Sequence, residues 1–128
     1  MAQSDLDLVL HLGDYIYEYP DGGYANPVAL EALGRHVEPL GETLSLEDYR
    51  MRYGLYRTDT DLQLLHRRHT FVCVWDDHEL ANNTWHSGAE NHNPGEGDFF
   101  QRMRAARQAY DEWMPIRTSS EGDQGPIY

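Results

Sequence analysis

Two short apolar runs along the chain predict β-strands, and each run ends on charged residues. Residues 6–12 are apolar apart from Asp7 and His11, and residues 71–75 read FVCVW. Runs of this length are typical of strands buried on both faces of a parallel sheet. We therefore expect two buried strands whose carboxyl ends carry the ionisable side chains of the chain's chemistry.

Between the two runs, the apolar residues change to helical spacing. After the candidate N-cap Ser45, apolar side chains recur three and four positions apart, as on one face of a helix. They are Leu46, Tyr49, Tyr53 and Tyr56. A capping-box pattern with Thr60 as cap begins a second helix, which runs to about Arg68. Because helices separate the strands, the predicted sheet is a parallel pair with a right-handed crossover.

The remaining segments predict one long helix and several loops. Asp98 caps a helix that Pro115 ends, and its apolar face repeats at spacings of four and three. That face consists of Phe99, Met103, Ala106, Tyr110 and Trp113. Residues 20–44, rich in proline and glycine, predict a loop with one short helix near 28–33. Residues 80–97 and 118–124 predict loops, and 126–128 suggest the start of a further element.

Composition narrows the possible functions. The net charge of −12 argues against a nucleic-acid-binding or anionic-membrane surface, since both need basic residues. No apolar run approaches the roughly 20 residues of a membrane helix, and residues 1–5 show no signal-peptide pattern. The one cysteine, Cys73, forms no intrachain disulfide and lies in a strand, where a buried inert role is favoured.

The strongest chemical signal is the acidic end of the second strand, Asp76–Glu79. Three acids in four residues repel one another and indicate a nearby cation. The alternative is a solvated acidic turn whose charge a helix N-terminus stabilises. The first strand ends similarly on Gly13 and Asp14, and a carboxylate there can bridge two cations. We expect the two strand ends to form one metal site.

The paired histidines of the second helix favour a different interpretation. His66 and His69 are three residues apart and flank Arg67 and Arg68. Two arginines repel a cation, so a surface feature is favoured over a metal site. His86 and His92 lie in the polar loop, where histidines are often merely solvated.

Three motifs occur in order along the chain: GDYIYEY at 13–19, WDDHE at 75–79 with Asn82 and Asn83 after it, and AY-EWMPIR at 109–117. Together they closely resemble the alkaline phosphatase D (PhoD-like) family of metallophosphatases. Residues 56–66 also resemble the segment before the family's second acidic motif. The resemblance covers nearly the whole chain, from about Asp5 to the end.

The resemblance implies a calcineurin-like α/β sandwich that hydrolyses phosphomonoesters and phosphodiesters at a two-metal centre containing iron (Fe3+) and calcium. By matching motifs, Asp14 is the bridging carboxylate and Tyr17 a ligand of ferric iron. Asp77 is a further ligand, with Asp76 as a less certain neighbouring one. His78 is the catalytic residue that contacts the phosphate or the leaving oxygen. The substrate-binding residues are unknown, and the substrate is a small phosphate ester or phosphodiester.

The family pattern also contains ligand motifs that residues 1–128 do not show. One precedes the Gly-Asp strand, and others, including histidine and aspartate, follow the third motif. We therefore expect residues 1–128 to be a partial domain, lacking N-terminal and C-terminal parts, with two parallel strands and several helices. Alone, it should bind metal weakly and show little activity. By resemblance, the bacterial parent protein is exported to the periplasm or beyond the cell.

A second class of function stays open at this stage. The chain could be a non-enzymatic, mainly helical module that retains family sequence without its chemistry. Two strands with open edges make self-association of such a module plausible. Metal binding and phosphatase turnover distinguish the enzyme from this alternative.

Overall fold

The structure, a computed structural model, describes residues 1–116. The loop predicted at 118–124, the element suggested at 126–128 and Arg117 of the third motif lie outside this range. The strands are β1 (Leu8–His11) and β2 (Thr70–Cys73), and the helices are α1 (Pro27–Leu33), α2 (Leu46–Tyr56), α3 (Thr60–Arg68), a 3-10 turn (Asp77–Glu79) and α4 (Phe99–Trp113). The mixed α/β class with two strands and several helices is confirmed. No described helix is both long enough and apolar enough to cross a membrane.

The two strands form the expected parallel pair. Leu8 lies opposite Thr70 and His11 opposite Cys73, so the carboxyl ends of both strands reach the same edge of the sheet. The N–H of Val74 donates to the carbonyl of His11 at 3.0 Å and extends the pairing beyond β2. This register brings Gly13 next to the acidic end of the second strand.

The expectation that both strands are buried on both faces is wrong. Val9 and Phe71 point inward and are each 8% exposed. Alternate side chains point to the opposite face because the side-chain period of a strand is two. That outer face consists of Leu8, Leu10, Leu12, Val72 and Val74, which are 46–68% exposed. Within the described range, helices and loops pack only on the inner face.

The predicted apolar faces of α2 and α4 form most of the core. Tyr49 and Tyr53 of α2 are fully buried, as are Ala106 and Ala109 of α4, and Ile16 joins them from the loop after β1. Leu46 and Tyr56 of α2, and Met103 and Trp113 of α4, pack half-buried against this cluster. Helical periodicity therefore identified the packing faces correctly.

Helix α3 ends at Arg68 as predicted but begins one residue earlier than predicted, at Thr60. Its cap is Asp59, whose carboxylate accepts the N–H of Leu62 at 2.9 Å, and Thr60 is already helical. Asp and Thr are both favourable N-cap residues, so the sequence alone left two adjacent positions for the start of the helix. Both histidines near the end of α3 are half-buried, and neither belongs to the group of possible metal ligands found among residues 1–116. His66 stacks on Phe71 at 3.8 Å, and His69 Nδ1 contacts the carbonyl of Leu6 at 3.2 Å.

Candidate metal centre

The turn after β1 needs glycine for two reasons. Gly13 has φ of +98°, a conformation that side chains disfavour. A Cβ at this position would also lie only 2.7 Å from the backbone nitrogen of Asp76. The ends of the two strands therefore approach more closely here than any larger residue allows.

Asp14, the next residue, combines backbone strain with an unsatisfied oxygen. Its φ of 57° is uncommon for a non-glycine residue, although aspartate adopts it more readily than most. Its Oδ2 accepts the hydroxyl of Tyr17 at 3.2 Å. Its Oδ1 is buried, and no donor in the described part of the chain contacts it. A buried carboxylate oxygen without a donor suits coordination of a cation.

The acidic end of the second strand folds into a single 3-10 turn, Asp77–Glu79. Asp76 caps it, because its Oδ1 accepts the N–H of Asp77 at 3.0 Å. Glu79 completes the capping box by accepting the N–H of Asp76 at 2.8 Å. This turn directs Asp77 and His78 toward the end of β1.

Glu79 fastens the two strand ends together. Its fully buried carboxylate accepts the backbone N–H groups of Asp14 (3.2 Å), Tyr15 and Asp76 (2.8 Å). Burial raises the pKa of Glu79, and these three N–H groups oppose the shift. Glu79 therefore acts as a structural bridge under the site.

A second buried carboxylate, Glu18, orients His78. Its Oε2 lies 2.7 Å from His78 Nδ1, and the side chains are 0% and 10% exposed. Its Oε1 accepts the N–H of Asn82 at 2.7 Å and the amide of Asn91 at 2.9 Å. Since a carboxylate accepts, Nδ1 carries the proton and Nε2 is the nitrogen left for chemistry.

These contacts bring Asp14, Asp77 and His78 together. One ligand atom from each lies within 4.8 Å of the others. Among residues 1–116, no arginine forms an ion pair with either carboxylate. Asp77 Oδ2 is held instead by the N–H of Asn83 at 2.5 Å, and Asn83 also has a positive φ, of 50°. Two carboxylates and one imidazole form a donor set that fits a metal ion, and no arginine of the described residues neutralises the two carboxylates.

Tyr17 lies at the edge of this cluster. Its ring centroid is 4.4 Å from that of His78, and its hydroxyl contacts Asp14. Burial, followed by the neighbouring Asp14 carboxylate, raises the pKa of Tyr17 to about 12. The phenol therefore keeps its proton at neutral pH unless a cation takes its place.

The structure brings three of the five predicted site residues, Asp14, Asp77 and His78, within ligand distance of one another. Tyr17 contacts Asp14 and His78 at the edge of this group, and Asp76 is not part of it and caps the turn. Their roles as ligands and catalytic group stay predictions.

Sequence reasoning assigned no role to Glu18 or Glu79. One signal was available for Glu18, because it is the only acid within the apolar and aromatic run 15–19. An ionisable group in such a run is rarely buried without a partner. Glu79 followed a histidine among other acids, and nothing in that pattern separates a bridge from a ligand.

Comparisons with known proteins agree with one another. A family model described as "PhoD-like phosphatase" matches residues 1–128. Alkaline phosphatase D of Bacillus subtilis (strain 168) is 42% identical over 120 residues, which cover 94% of this chain and 20% of that protein. A solved structure described as "Structure of PhoD" superposes with a TM-score of 0.78 and 40% identity, over 93% of this chain and 22% of that one. The chain thus spans about one fifth of the length of each relative.

Proposed function

The chain belongs to the PhoD-like phosphatase family, and we propose that its strand-end site hydrolyses phosphomonoesters and phosphodiesters at a two-metal centre. The observation that carries the proposal is the convergence of Asp14, Asp77 and His78 within 4.8 Å, with Asp14 Oδ1 buried and unsatisfied. The substrate class is a small phosphate ester.

The ligands available to the metal ions are oxygen-rich. Asp14 would bridge two ions, with Asp77 and Tyr17 as further ligands, and we propose Fe3+ and calcium as the ions. Phenolate and carboxylate oxygens suit hard cations such as these. When bound, the ions supply Lewis-acid polarisation of the phosphoryl oxygens. Asp76 is a less certain ligand in this proposal: its Oδ1 accepts the N–H of Asp77, so Oδ2 is the oxygen that would bind an ion.

His78 is proposed to act on the phosphoryl group directly. Glu18 fixes the ring through Nδ1 and leaves Nε2 facing the reacting group. When Nε2 also carries a proton, the imidazolium held beside the Glu18 carboxylate can stabilise charge on a phosphate oxygen or pass that proton to the leaving oxygen. Glu18 is also bonded to Asn82 and Asn91, so it cannot rotate away without leaving two partly buried donors unpaired. The imidazole is therefore positioned before substrate arrives.

We propose that the isolated 128-residue chain is a partial domain with little or no turnover. Among the described residues, Asp14, Tyr17 and Asp77 offer few ligands for two ions, each of which takes at least four. Export to the periplasm or the cell exterior is part of the same proposal and rests on family resemblance.

Phosphodiester hydrolysis by metal-loaded protein tests the proposal. We would assay the complete gene product that carries this sequence, in Fe3+ and calcium, with Asp77→Ala and His78→Ala. Each substitution should lower kcat at least 100-fold, because each removes a group at the reacting centre. Asp7→Asn, at an exposed position before β1, is the matched control and should retain full activity.

The same assay can contradict the proposal. Full activity in Asp77→Ala or His78→Ala would exclude these residues from the reaction. Turnover by the isolated 128-residue chain that Asp14→Ala abolishes would show that the site is complete within it.

A further inference from the structure

A pocket of about 220 Å3 opens beside the candidate metal centre, and its walls are rich in aromatic rings. Tyr17, Tyr19, Tyr24 and Tyr56 contribute to its lining. Tyr17 belongs to both places, because its hydroxyl contacts Asp14 while its ring faces the pocket. Tyr17 therefore links the pocket to the proposed reaction site.

Three of these rings are stacked. The centroid of Tyr24 lies 4.8 Å from that of Tyr17 and 5.5 Å from that of Tyr19, with interplanar angles of 19° and 4°. All three rings lie near His78, with centroid distances of 4.4 Å (Tyr17), 5.6 Å (Tyr19) and 6.3 Å (Tyr24). The stack thus borders the imidazole that we propose protonates the leaving oxygen.

The backbone beneath the stack is held in place by Arg52. Its guanidinium is 1% exposed and donates to the carbonyls of both Tyr17 and Tyr19, the latter at 2.9 Å. Its other N–H groups donate to the carbonyls of Glu38, Pro39 and Gly41. Ordering these residues before binding reduces the entropic cost of forming a site.

Tyr24 differs from the tyrosines of the core. Tyr49 and Tyr53 are fully buried, whereas Tyr24 is 67% exposed. Tyr24 contacts Tyr17 and Tyr19, yet two thirds of its surface stays exposed, so part of the ring remains open to solvent. Exposed aromatic surfaces bind flat rings, because stacking of a ring or base on an aromatic side chain is favourable and needs no matching hydrogen bonds.

Building on the proposed phosphatase function, we infer that the Tyr17–Tyr24–Tyr19 stack binds a flat aromatic ring in the alcohol part of the phosphate ester. Tyr24 is then a specificity-determining residue, and it favours aryl or nucleoside esters over aliphatic ones. The phosphoryl group reaches Asp14, Asp77 and His78 while the ring rests on the stack.

Binding of two phosphonates that cannot be hydrolysed tests the inference. Phenylphosphonate and methylphosphonate would be titrated by calorimetry into the complete gene product, loaded with Fe3+ and calcium. Wild type should bind phenylphosphonate more tightly. Tyr24→Ala should weaken phenylphosphonate about tenfold, equivalent to about 1.4 kcal/mol, and leave methylphosphonate unchanged. Tyr24→Phe keeps the ring and should bind both as wild type does.

Phe100→Ala is the matched control, since Phe100 is 40% exposed on α4 and does not line the pocket. It should change neither affinity. Adenosine 5′-methylenephosphonate distinguishes a nucleobase from a small aryl group as the ring that is bound. Tighter binding of this compound than of phenylphosphonate identifies a nucleobase. Weaker binding identifies a small aryl group.

Two results would overturn the inference, and they are distinguishable. Equal affinity of wild type for phenylphosphonate and methylphosphonate, or equal loss of both in Tyr24→Ala, refutes the stack as a ring-binding surface while the phosphatase proposal stands. Failure of wild type to bind either phosphonate contradicts the phosphatase proposal itself, and the inference with it.

Discussion

The two faces of the same two-stranded sheet have opposite environments. On the inner face, Val9 and Phe71 are each 8% exposed and pack toward the helices. On the outer face, Leu10 and Val72 are 57% and 47% exposed, and within residues 1–116 nothing covers them. Both faces are apolar in sequence, so hydrophobicity alone does not tell them apart.

The candidate metal centre depends on the inner face and the strand ends, and not on the outer face. Glu79 links the two strand ends, and Glu18 orients His78, through contacts made entirely within the described residues. The site geometry is therefore a local property of this segment. The contacts that position Asp14 and Asp77 do not involve the outer face of the sheet.

The largest effect should come from breaking the link between the strand ends. Glu79→Ala removes the acceptor of three backbone N–H groups, of Asp14, Tyr15 and Asp76. Each buried donor left unpaired costs about 1–3 kcal/mol. We expect the free energy of unfolding, measured by urea titration, to fall by about 3 kcal/mol or more. Glu79→Gln keeps one acceptor oxygen and should lose less; an unchanged midpoint in Glu79→Ala would refute the bridging role.

Truncating a side chain on the inner face should lower the free energy of unfolding more than truncating one on the outer face. Val9→Ala, on the inner face, should lower the free energy of unfolding by about 1–2 kcal/mol, as expected for deletion of buried methyl groups. Leu10→Ala, one residue along on the outer face, should change it by less than about 0.5 kcal/mol. Urea titration of both variants makes the comparison. Equal losses would mean that the outer face is covered in solution.

Acid should weaken the inner face through His66. Burial, followed by the nearby charge of Arg57, lowers the pKa of His66 to about 4. The unfolded chain protonates near 6.5 while the folded one stays neutral, so the unfolded state binds more protons between these values. This contribution to stability is therefore present above about pH 6.5 and is lost as pH falls toward 4. His66→Gln should flatten that part of the pH profile of unfolding, and an unchanged slope would contradict the assignment.

The smallest effect on stability should come from charging the outer face. Leu10→Glu should leave the unfolding midpoint nearly unchanged, but it should weaken self-association of the isolated chain, since exposed apolar strands favour association. Sedimentation velocity across a concentration series measures this. Glu47→Gln, an exposed change on α2, serves as control. Identical association of wild type and Leu10→Glu would rule out this face as the contact.

Sequence patterns predicted what depends on periodicity and local chemistry. The helical faces led by Tyr49 and Tyr110, the parallel pairing and the meeting of the two strand ends all followed from spacing and order. The exposure of the outer face did not follow from the sequence pattern, because it depends on what packs against that face and not on the strand's own residues. Glu18 and the buried Arg52 were also missed, since their roles come from partners distant in sequence.

Binding of Fe3+ to the complete gene product tests the central claim most directly. Ferric iron bound by a phenolate absorbs visible light, so titration should produce a saturable absorption band. We expect Tyr17→Phe to lose the band and Asp14→Asn to weaken iron binding at least tenfold, because Asp14 is the proposed bridging ligand. A band of full intensity in Tyr17→Phe, together with unchanged affinity in Asp14→Asn, would show that the strand ends are not a metal centre.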